Sequence, residues 1–369
     1  MSDFLNNKDY EQYFKQLENS LENKEKPVQK TEVIPQKTGK ASGGLYKVIR
    51  IKKSVLTAAA VVIIASILLI TGIGKPKDKP IDPLPDSSQT VDDNPVQDVV
   101  KTVFTLSNGT VAIPESNDAK AAIVVNLKSG EIVAERNINE RLYPASTTKI
   151  MTLLVACELI TNFNDTFTVT YELTDPLYIA EASMAGFAND ETVTLTDLIY
   201  GTILPSGADA AVGLAVKLCG SEAAFVEKMN QKVAELGLKN THFANVTGLY
   251  DSQNYSTVYD MAIILSAAME KDFCRKVLST YQYTTTKTPE NPDGILLSST
   301  LFDHMYGTEP ETATIKGGKT GYIAESGFCL ASFGTANATG NEYIVVTFGN
   351  SGSWPAYYGQ IDLYKEFVK

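Results

Sequence analysis

Three short motifs between residues 146 and 321 of the 369-residue chain carry side chains that together could perform acyl transfer. The first pairs the hydroxyl of Ser146 with the amine of Lys149 three residues later, a spacing that puts both on one face of a helix. The last, Lys-Thr-Gly at 319–321, supplies a second amine and a second hydroxyl, and Ser-Gly-Ala at 206–208 lies between them. An amine that is neutral for part of the time can take a proton from a serine. The motifs therefore predict a serine nucleophile that a lysine activates.

Each motif alone is a weak signal, and their order along the chain makes the set specific. A capping serine followed by a solvated lysine explains most isolated S-x-x-K sequences. In an active site, burial of Lys149 and a second lysine nearby would both lower the pKa of Lys149. The composition favours a lysine base, because the chain has two histidines, His242 and His304, and neither lies in a recognisable hydrolase motif. Gly317 and Gly318 precede the last motif, so a substrate peptide could approach that strand closely and pair with it.

The residues around the motifs predict one α+β domain over 116–369. Alternating β-branched residues at 121–127 and 131–135, with a Ser-Gly turn between them, predict a hairpin. Strands first, helices next and strands last favour a single sheet whose edges come from both ends of the domain. The predicted helices cover 146–161, 195–200, 208–219, 222–236, 259–269 and 357–369, and the later strands cover 314–322, 325–336 and 343–349.

A polar tail, residues 1–54, opens the chain and is rich in lysine and glutamate. One stretch of it has apolar residues at helical spacing, which predicts a short amphipathic helix. Two explanations stay open: a transient helix in a disordered tail, or a docking face for a cytoplasmic partner or for self-association. The apolar residues are Tyr10, Tyr13, Phe14, Leu17 and Leu21.

An uncharged run at 55–74 predicts a single membrane-spanning helix, because about twenty residues at ~1.5 Å each match the ~30 Å hydrocarbon core. Basic residues on both sides of the run disfavour a buried helix of a globular core. Five basic residues at 40–53 against three at 75–79 favour a cytoplasmic N-terminus and an external C-terminal domain. Residues 75–115, interrupted by prolines, are then predicted to be an extracellular linker.

The composition disfavours two classes of partner. The formal net charge of −11 argues against nucleic acid. The four cysteines lie far apart with no C-x-x-C pair, so no metal site is predicted. Small buried thiols are the favoured explanation, and the sequence leaves a disulfide open. The cysteines are Cys157, Cys219, Cys274 and Cys329.

From about residue 116 to its end, the chain resembles the low-molecular-mass penicillin-binding proteins of the D-alanyl-D-alanine carboxypeptidase family. The resemblance implies a serine β-lactamase/transpeptidase-like fold, with an antiparallel sheet flanked by helices, a helical lobe and a site between them. It also implies the wall side of a bacterial membrane. Besides the three motifs, it rests on Glu-Ala-Ser-Met-Ala-Gly at 181–186, Leu-Pro-Ser-Gly at 204–207, Leu-Lys-Asn-Thr-His-Phe at 238–243, Gly-Leu-Tyr-Asp at 248–251, Tyr-Ser-Thr at 255–257 and Gly-Gly-Lys-Thr-Gly-Tyr at 317–322.

The resemblance implies a catalytic role for four residues. Ser146 would be the acylated nucleophile, Lys149 the base that takes its proton, and Ser206 the hydroxyl that relays a proton between the two lysines. The backbone N–H groups of Ser146 and Tyr322 would form the oxyanion hole. The reaction would break the D-Ala-D-Ala peptide bond, release D-alanine and hydrolyse the acyl-enzyme, and penicillin would be trapped at the same serine.

The resemblance also implies the substrate-binding residues. Lys319 and Thr320 would bind the terminal carboxylate of a peptidoglycan stem peptide, and Gly321 and Tyr322 continue the strand along which that peptide would lie. β-Lactams would be covalent inhibitors, and the mechanism needs no metal or cofactor.

Two departures from the family pattern keep a second interpretation open. The middle motif of the family reads S-x-N, whereas here Ala208 takes the third position, and Asp209 is turned about 100° away from it on a helix. An arginine that many relatives use to hold the carboxylate is missing from 351–356, where Trp354 is expected to pack. A non-catalytic or weakly active relative that binds peptidoglycan or β-lactams is therefore the alternative. A β-lactamase is less favoured, because no E-x-x-L-N sequence occurs between 150 and 206.

Overall fold

The computed structural model describes residues 102–305, 307–308 and 310–369. Its strands are β1 (Thr105–Ala112), β2 (Ala121–Asn126), β3 (Glu131–Arg136), β4 (Thr166–Thr168), β5 (Thr192–Thr194), β6 (Gln282–Thr284), β7 (Leu296–Ser298), β8 (Ala313–Ile323), β9 (Gly327–Ala336) and β10 (Glu342–Asn350). Six of them form one sheet in the order β1-β3-β2-β10-β9-β8. Strands β1 and β3 are parallel and the other neighbours are antiparallel, so β1 and β8 are the two edges.

The two faces of the sheet separate two hydrophobic cores. Side chains alternate along a strand, so Ile123 and Val125 of β2 enter one core while Ala122 and Val124 enter the other. All four side chains are fully buried. This buried, β-branched hairpin is therefore the part of the sheet on which helices can pack from both sides.

Nine helices lie within the described residues, besides a 3-10 turn at Ala145–Thr148. Helices α1 and α6 pack against each other, and α6 packs on strands β2 and β10, on the face of the larger core. Helix α9 covers the opposite face over β9 and β10. The helices are α1 (Lys149–Leu159), α2 (Tyr171–Ile179), α3 (Leu195–Ile203), α4 (Ala208–Cys219), α5 (Glu222–Glu235), α6 (Val258–Met269), α7 (Asp272–Leu278), α8 (Phe302–Met305) and α9 (Ser353–Phe367).

The predicted α+β architecture and its hairpin are confirmed, and most predicted helices occur within a few residues of their expected ends. Helix α9 differs most, because it begins at Ser353 rather than at 357. Pro355 lies in its first turn, where a missing backbone N–H costs no helical hydrogen bond, so the proline does not stop the helix.

The predicted boundary between linker and domain at 115/116 is wrong. Residues 105–112, expected to be linker, form edge strand β1 beside β3. Most side chains of β1 are exposed, so the strand has little of the apolar alternation by which strands are recognised. Backbone pairing holds it in the sheet, and the hydroxyl of Tyr259 also donates to the carbonyl of Phe104 just before it (3.0 Å).

The other predictions for the N-terminal part, the tail at 1–54, the spanning helix at 55–74 and the linker from 75 to 101, lie outside the described residues. Within the described part of the chain, no helix combines the length and the apolarity needed to cross a membrane.

The four cysteines are free thiols in the structure, and Cys274 and Cys329 are fully buried, as expected of small apolar side chains. Cys157, at the end of α1, lies beside Cys274 of α7. Their hydrogen bond, together with burial, raises the pKa of the Cys157 thiol.

Candidate active site

Ser146 and Lys149 lie side by side where the 3-10 turn passes into helix α1. The Nζ atom of Lys149 donates to the Oγ atom of Ser146 at 3.0 Å, so the three-residue spacing does bring the amine onto the hydroxyl. The lysine is 2% exposed, whereas the serine is half-buried and lines a cleft of about 630 Å³. A hydroxyl open to a cleft and an amine hidden behind it are the arrangement that general-base activation requires.

The amine of Lys149 is held from behind by a backbone carbonyl. Its Nζ atom donates to the carbonyl of Thr247 at 2.7 Å. The side chain of Asn245 fixes this loop by accepting from the N–H groups of Thr247 and Gly248 (3.2 and 2.7 Å). Gly248 has φ +81°, and a Cβ atom there would lie 1.9 Å from the carbonyl oxygen of Ala145. Because Gly248 has no Cβ atom, the loop can contact the turn that carries Ser146.

Burial lowers the pKa of Lys149 from its ordinary value of 10.5 to about 7. The negative charge of Asp209 opposes this effect, so desolvation is the larger cause. At neutral pH about half of such lysines are uncharged and able to accept a proton. The expectation that burial would lower this pKa is confirmed.

Ser206 enters the same cleft from the segment before helix α4. It adopts φ +65°, which is unusual for a residue other than glycine, and its side chain is 5% exposed. Within the described residues its Oγ atom has no hydrogen-bond partner. A buried, strained hydroxyl without a partner is costly, which is typical of a group kept for a ligand or a proton.

Strand β8 brings the last motif to the cleft at the edge of the sheet. A Cβ atom on Gly321 would lie 2.7 Å from the backbone nitrogen of Ser146, so only glycine allows the strand to approach the serine this closely. Lys319 is 1% exposed and donates to the carbonyl of Thr320 at 2.8 Å. Burial, and then the positive charge of Lys149, lower the pKa of Lys319 well below 10.5. The two lysines therefore share one buried electrostatic environment.

Thr320 belongs to a chain of hydrogen bonds that the sequence did not indicate. Its Oγ1 atom lies 2.6 Å from the Oγ1 atom of Thr300, and the hydroxyl of Tyr357 donates to the carbonyl of Thr300 at 3.1 Å. Tyr357 also lines the cleft and directly follows 351–356, the segment without an arginine, and Trp354 packs beside it in a surface aromatic cluster with His304. The cleft is thus closed here by hydroxyls rather than by a guanidinium.

The structure brings all seven predicted site residues together. Six of them line the cleft, and Lys319 lies buried next to Lys149. Tyr322 is 56% exposed, and its ring stacks on Phe328 with the centroids 4.4 Å apart. The six lining residues are Ser146, Lys149, Ser206, Thr320, Gly321 and Tyr322.

The departures from the family pattern are visible at the start of α4. Ala208 presents a methyl group to the cleft and no hydrogen-bonding atom. The carboxylate of Asp209 is fully buried and accepts from the backbone N–H groups of Ala185 and Gly186, at 2.7 and 3.1 Å. Asp209 therefore holds a neighbouring loop and does not replace the missing asparagine.

Three residues of the site were not predicted: Thr247, Thr300 and Tyr357. Thr247 acts through a backbone carbonyl, which leaves no signature in the side-chain sequence. The Asn245-x-x-Gly248 turn was the one available signal, because asparagine three residues before a glycine often closes a turn through its side chain.

Comparison with known proteins places these features in a family. The model of the D-alanyl-D-alanine carboxypeptidase family matches residues 108–352. The D-alanyl-D-alanine carboxypeptidase DacF of Bacillus subtilis is 34% identical over 242 residues, which are 64% of this chain and 58% of that protein. The D-alanyl-D-alanine carboxypeptidase of Streptomyces sp. strain K15 is 31% identical over 272 residues, 70% of this chain and 92% of that protein.

Solved structures agree with the sequence relatives. The Streptomyces K15 DD-transpeptidase superposes with a TM-score of 0.58 at 29% identity, covering 67% of this chain and 97% of that one. Penicillin binding protein 5 from Haemophilus influenzae gives a TM-score of 0.59 at 27% identity, covering 68% and 72%. With its motifs assembled in one cleft and its family model matched over most of the described residues, the chain belongs to the D-alanyl-D-alanine carboxypeptidase family.

Proposed function

We propose that the protein is a membrane-anchored serine-type D-Ala-D-Ala carboxypeptidase, which removes the terminal D-alanine of peptidoglycan stem peptides and is acylated by penicillin at the same serine. The observation that carries the proposal is the 3.0 Å contact between the buried amine of Lys149 and the hydroxyl of Ser146. A lysine with a pKa of about 7 is a competent base at neutral pH, so the serine needs no histidine.

Acylation begins when the Oγ atom of Ser146 attacks the carbonyl carbon between the two D-alanines and gives its proton to Lys149. The oxyanion that forms accepts hydrogen bonds from the backbone N–H groups of Ser146 and Tyr322. Preorganised donors of this kind each stabilise the oxyanion by about 3 kcal/mol. The C–N bond then breaks, and the proton on Lys149 passes through the hydroxyl of Ser206 to the leaving amine, which leaves Lys149 neutral again. Water hydrolyses the resulting ester, with Lys149 again as the base, and the proton returns to Ser146.

The substrate peptide adds to the free edge of β8 as an extended strand, with its terminal carboxylate toward Lys319 and Thr320. Burial lowers the pKa of Lys319, and an arriving carboxylate favours its charged form, so substrate binding is expected to bring a proton onto this amine. The hydroxyl of Thr300, 2.6 Å from that of Thr320, fixes the orientation of the threonine.

The membrane anchor in the proposal rests on the sequence. Residues 55–74 would span the bilayer, the tail at 1–54 would be cytoplasmic, and residues 75 to about 104 would tether the catalytic domain on the cell-wall side. Deletion of 55–74 should move the protein from the membrane to the soluble fraction of a cell lysate. A deleted protein that still sediments with membranes would contradict the assignment.

A second function is favoured by one observation, the methyl group that Ala208 presents to the cleft. Without an amide at this position the domain could bind wall peptides or β-lactams without turnover. A β-lactamase is a third and less favoured reading, since the segment between α1 and Ser206 holds no E-x-x-L-N sequence.

The test uses the full-length chain in detergent and a stem pentapeptide that ends in D-Ala-D-Ala. Release of D-alanine that disappears in Ser146→Ala would support the carboxypeptidase. Stable labelling by a fluorescent penicillin without D-alanine release would favour the binding module, and rapid loss of the label would favour a β-lactamase. Neither labelling nor release would refute both enzyme interpretations and leave a domain that binds wall peptides without turnover.

A further inference from the structure

The peptide in the cleft has two backbone edges, and the proposed function uses only one of them. An extended chain paired with β8 directs alternate carbonyl and N–H groups toward β8 and the others away from it. The outward groups face the helical side of the cleft. Because a desolvated backbone group without a partner costs free energy, that side should supply hydrogen-bonding atoms.

The helical side of the cleft offers few such atoms. Between the end of α2 and the start of α4, three of the lining residues are alanines, at 180, 182 and 208, and Ser206 already has the proposed role in the proton relay. Glu181 is charged and exposed at the rim. The remaining lining residue between the end of α2 and the start of α4 is Ser183, whose exposed hydroxyl makes no hydrogen bond within the described residues.

The loop that carries Ser183 is clamped to the start of helix α4. The N–H of Ala208 donates to the carbonyl of Ser183 at 2.7 Å, which places this serine next to the methyl group that lacks a polar atom. The next residue of the helix, Asp209, accepts from the N–H groups of Ala185 and Gly186, which lie two and three residues after Ser183.

The loop and the start of the helix are packed closely together. A Cβ atom on Gly207 would lie 2.7 Å from the backbone nitrogen of Ala185, so the two segments are in direct backbone contact. Within the described residues, the fully buried carboxylate of Asp209 accepts hydrogen bonds from backbone N–H groups of this loop. Its position therefore sets the place of the loop, and of Ser183 within it.

We infer that Ser183 is a substrate-binding residue whose hydroxyl donates to the carbonyl of the peptide bond preceding the scissile one, and that Asp209 positions it. The inference rests on the proposed function. In this inference, the neighbouring loop makes the hydrogen bond to the peptide that the alanine at 208 cannot make. The cleft then holds the peptide by both edges, with β8 on one side and the clamped loop on the other.

The experiment compares Ser183→Ala and Ser183→Thr with the wild type, as full-length protein in detergent, on the stem pentapeptide. Loss of one neutral hydrogen bond present in both ground and transition states should raise KM about 3- to 10-fold and leave kcat within about two-fold. Ser183→Thr keeps the hydroxyl and should restore KM. Ser279→Ala, an exposed serine at the end of α7 outside the cleft, is the matched control and should behave as wild type.

Asp209→Asn tests the positioning role, measured at about pH 8.5, where Lys149 is largely neutral. If Asp209 acts through Ser183, the double variant should raise KM by less than the product of the two single effects. Labelling by fluorescent penicillin in full stoichiometry would show that each variant is folded.

An unchanged KM in Ser183→Ala, a fall in kcat alone, or a Ser183→Thr as impaired as the alanine variant would overturn the role of Ser183. Multiplicative effects in the double variant would overturn the role of Asp209. A wild-type protein that releases no D-alanine would instead refute the proposed function, and the role of Ser183 that rests on it.

Discussion

The acylation rate is expected to follow the protonation of Lys149. At an ordinary lysine pKa of 10.5, about 0.03% of the amine would be neutral at pH 7. Burial lowers this pKa to about 7, so about half is neutral, a gain of roughly a thousandfold in competent base. Because the neutral form is the active one, the rate should rise as pH increases through about 7. Below that value it should fall about tenfold for each pH unit.

The assay is the second-order rate of labelling by a fluorescent penicillin, measured from about pH 5 to pH 10 on the full-length protein. This rate reports the free enzyme and ends at the acyl-enzyme, so product release does not mask the titration. Fluorescence of Trp354, the only tryptophan, monitors folding over the same range.

The variant Asp209→Asn supplies a second test of Lys149 as the base. The aspartate charge raises the pKa of Lys149 against the larger effect of burial, so its removal should move the rise in rate to lower pH. A rate that is flat between pH 5 and 8, or that rises only near pH 10, would refute Lys149 as the base. A midpoint that is unchanged in Asp209→Asn would refute the electrostatic contribution of Asp209.

Further perturbations test the geometry of the site. Ser146→Ala should abolish penicillin labelling and lower D-alanine release at least ~10³-fold without changing Tm; residual labelling would point to another nucleophile. Gly321→Ala places a methyl group 2.7 Å from the backbone nitrogen of Ser146, so labelling should slow ~10²-fold, and a wild-type rate would contradict the close approach. Gly248→Ala, at φ +81° and 1.9 Å from the carbonyl of Ala145, should lower the free energy of unfolding in urea by about 3 kcal/mol or more. Gly340→Ala, at φ +71° in open space, is its control and should lose only about 1 kcal/mol; equal losses would show that the contact is unimportant.

The motifs could be predicted from the sequence because their chemistry lies in side chains at fixed spacing. Ser146 and Lys149 are three residues apart on one turn, so their contact follows from local geometry. The hairpin that begins with β2 could also be predicted, because its β-branched residues alternate with others along each strand and a Ser-Gly turn joins the two strands.

Contacts made by backbone atoms over long separations could not be predicted. The carbonyl of Thr247 binds the amine of Lys149 from 98 residues away, and any residue type could supply it. Thr300 meets Thr320 only because the loop after β7 returns to the sheet edge. Strand β1 was missed for a different reason, since an exposed edge strand needs backbone pairing but no apolar pattern.

Strands β1 and β8 are the two opposite edges of the sheet. The chain enters the described domain at β1, and β8 is the edge to which a peptide could add. Five strand spacings of about 4.8 Å separate the two edges by roughly 24 Å. A mechanical load applied through the N-terminal segment would thus be taken first by the ladder between β1 and β3. Strand β8, to which the substrate peptide is proposed to add, lies at the far edge from that load, so the cleft would stay unstrained while β1 carries the force.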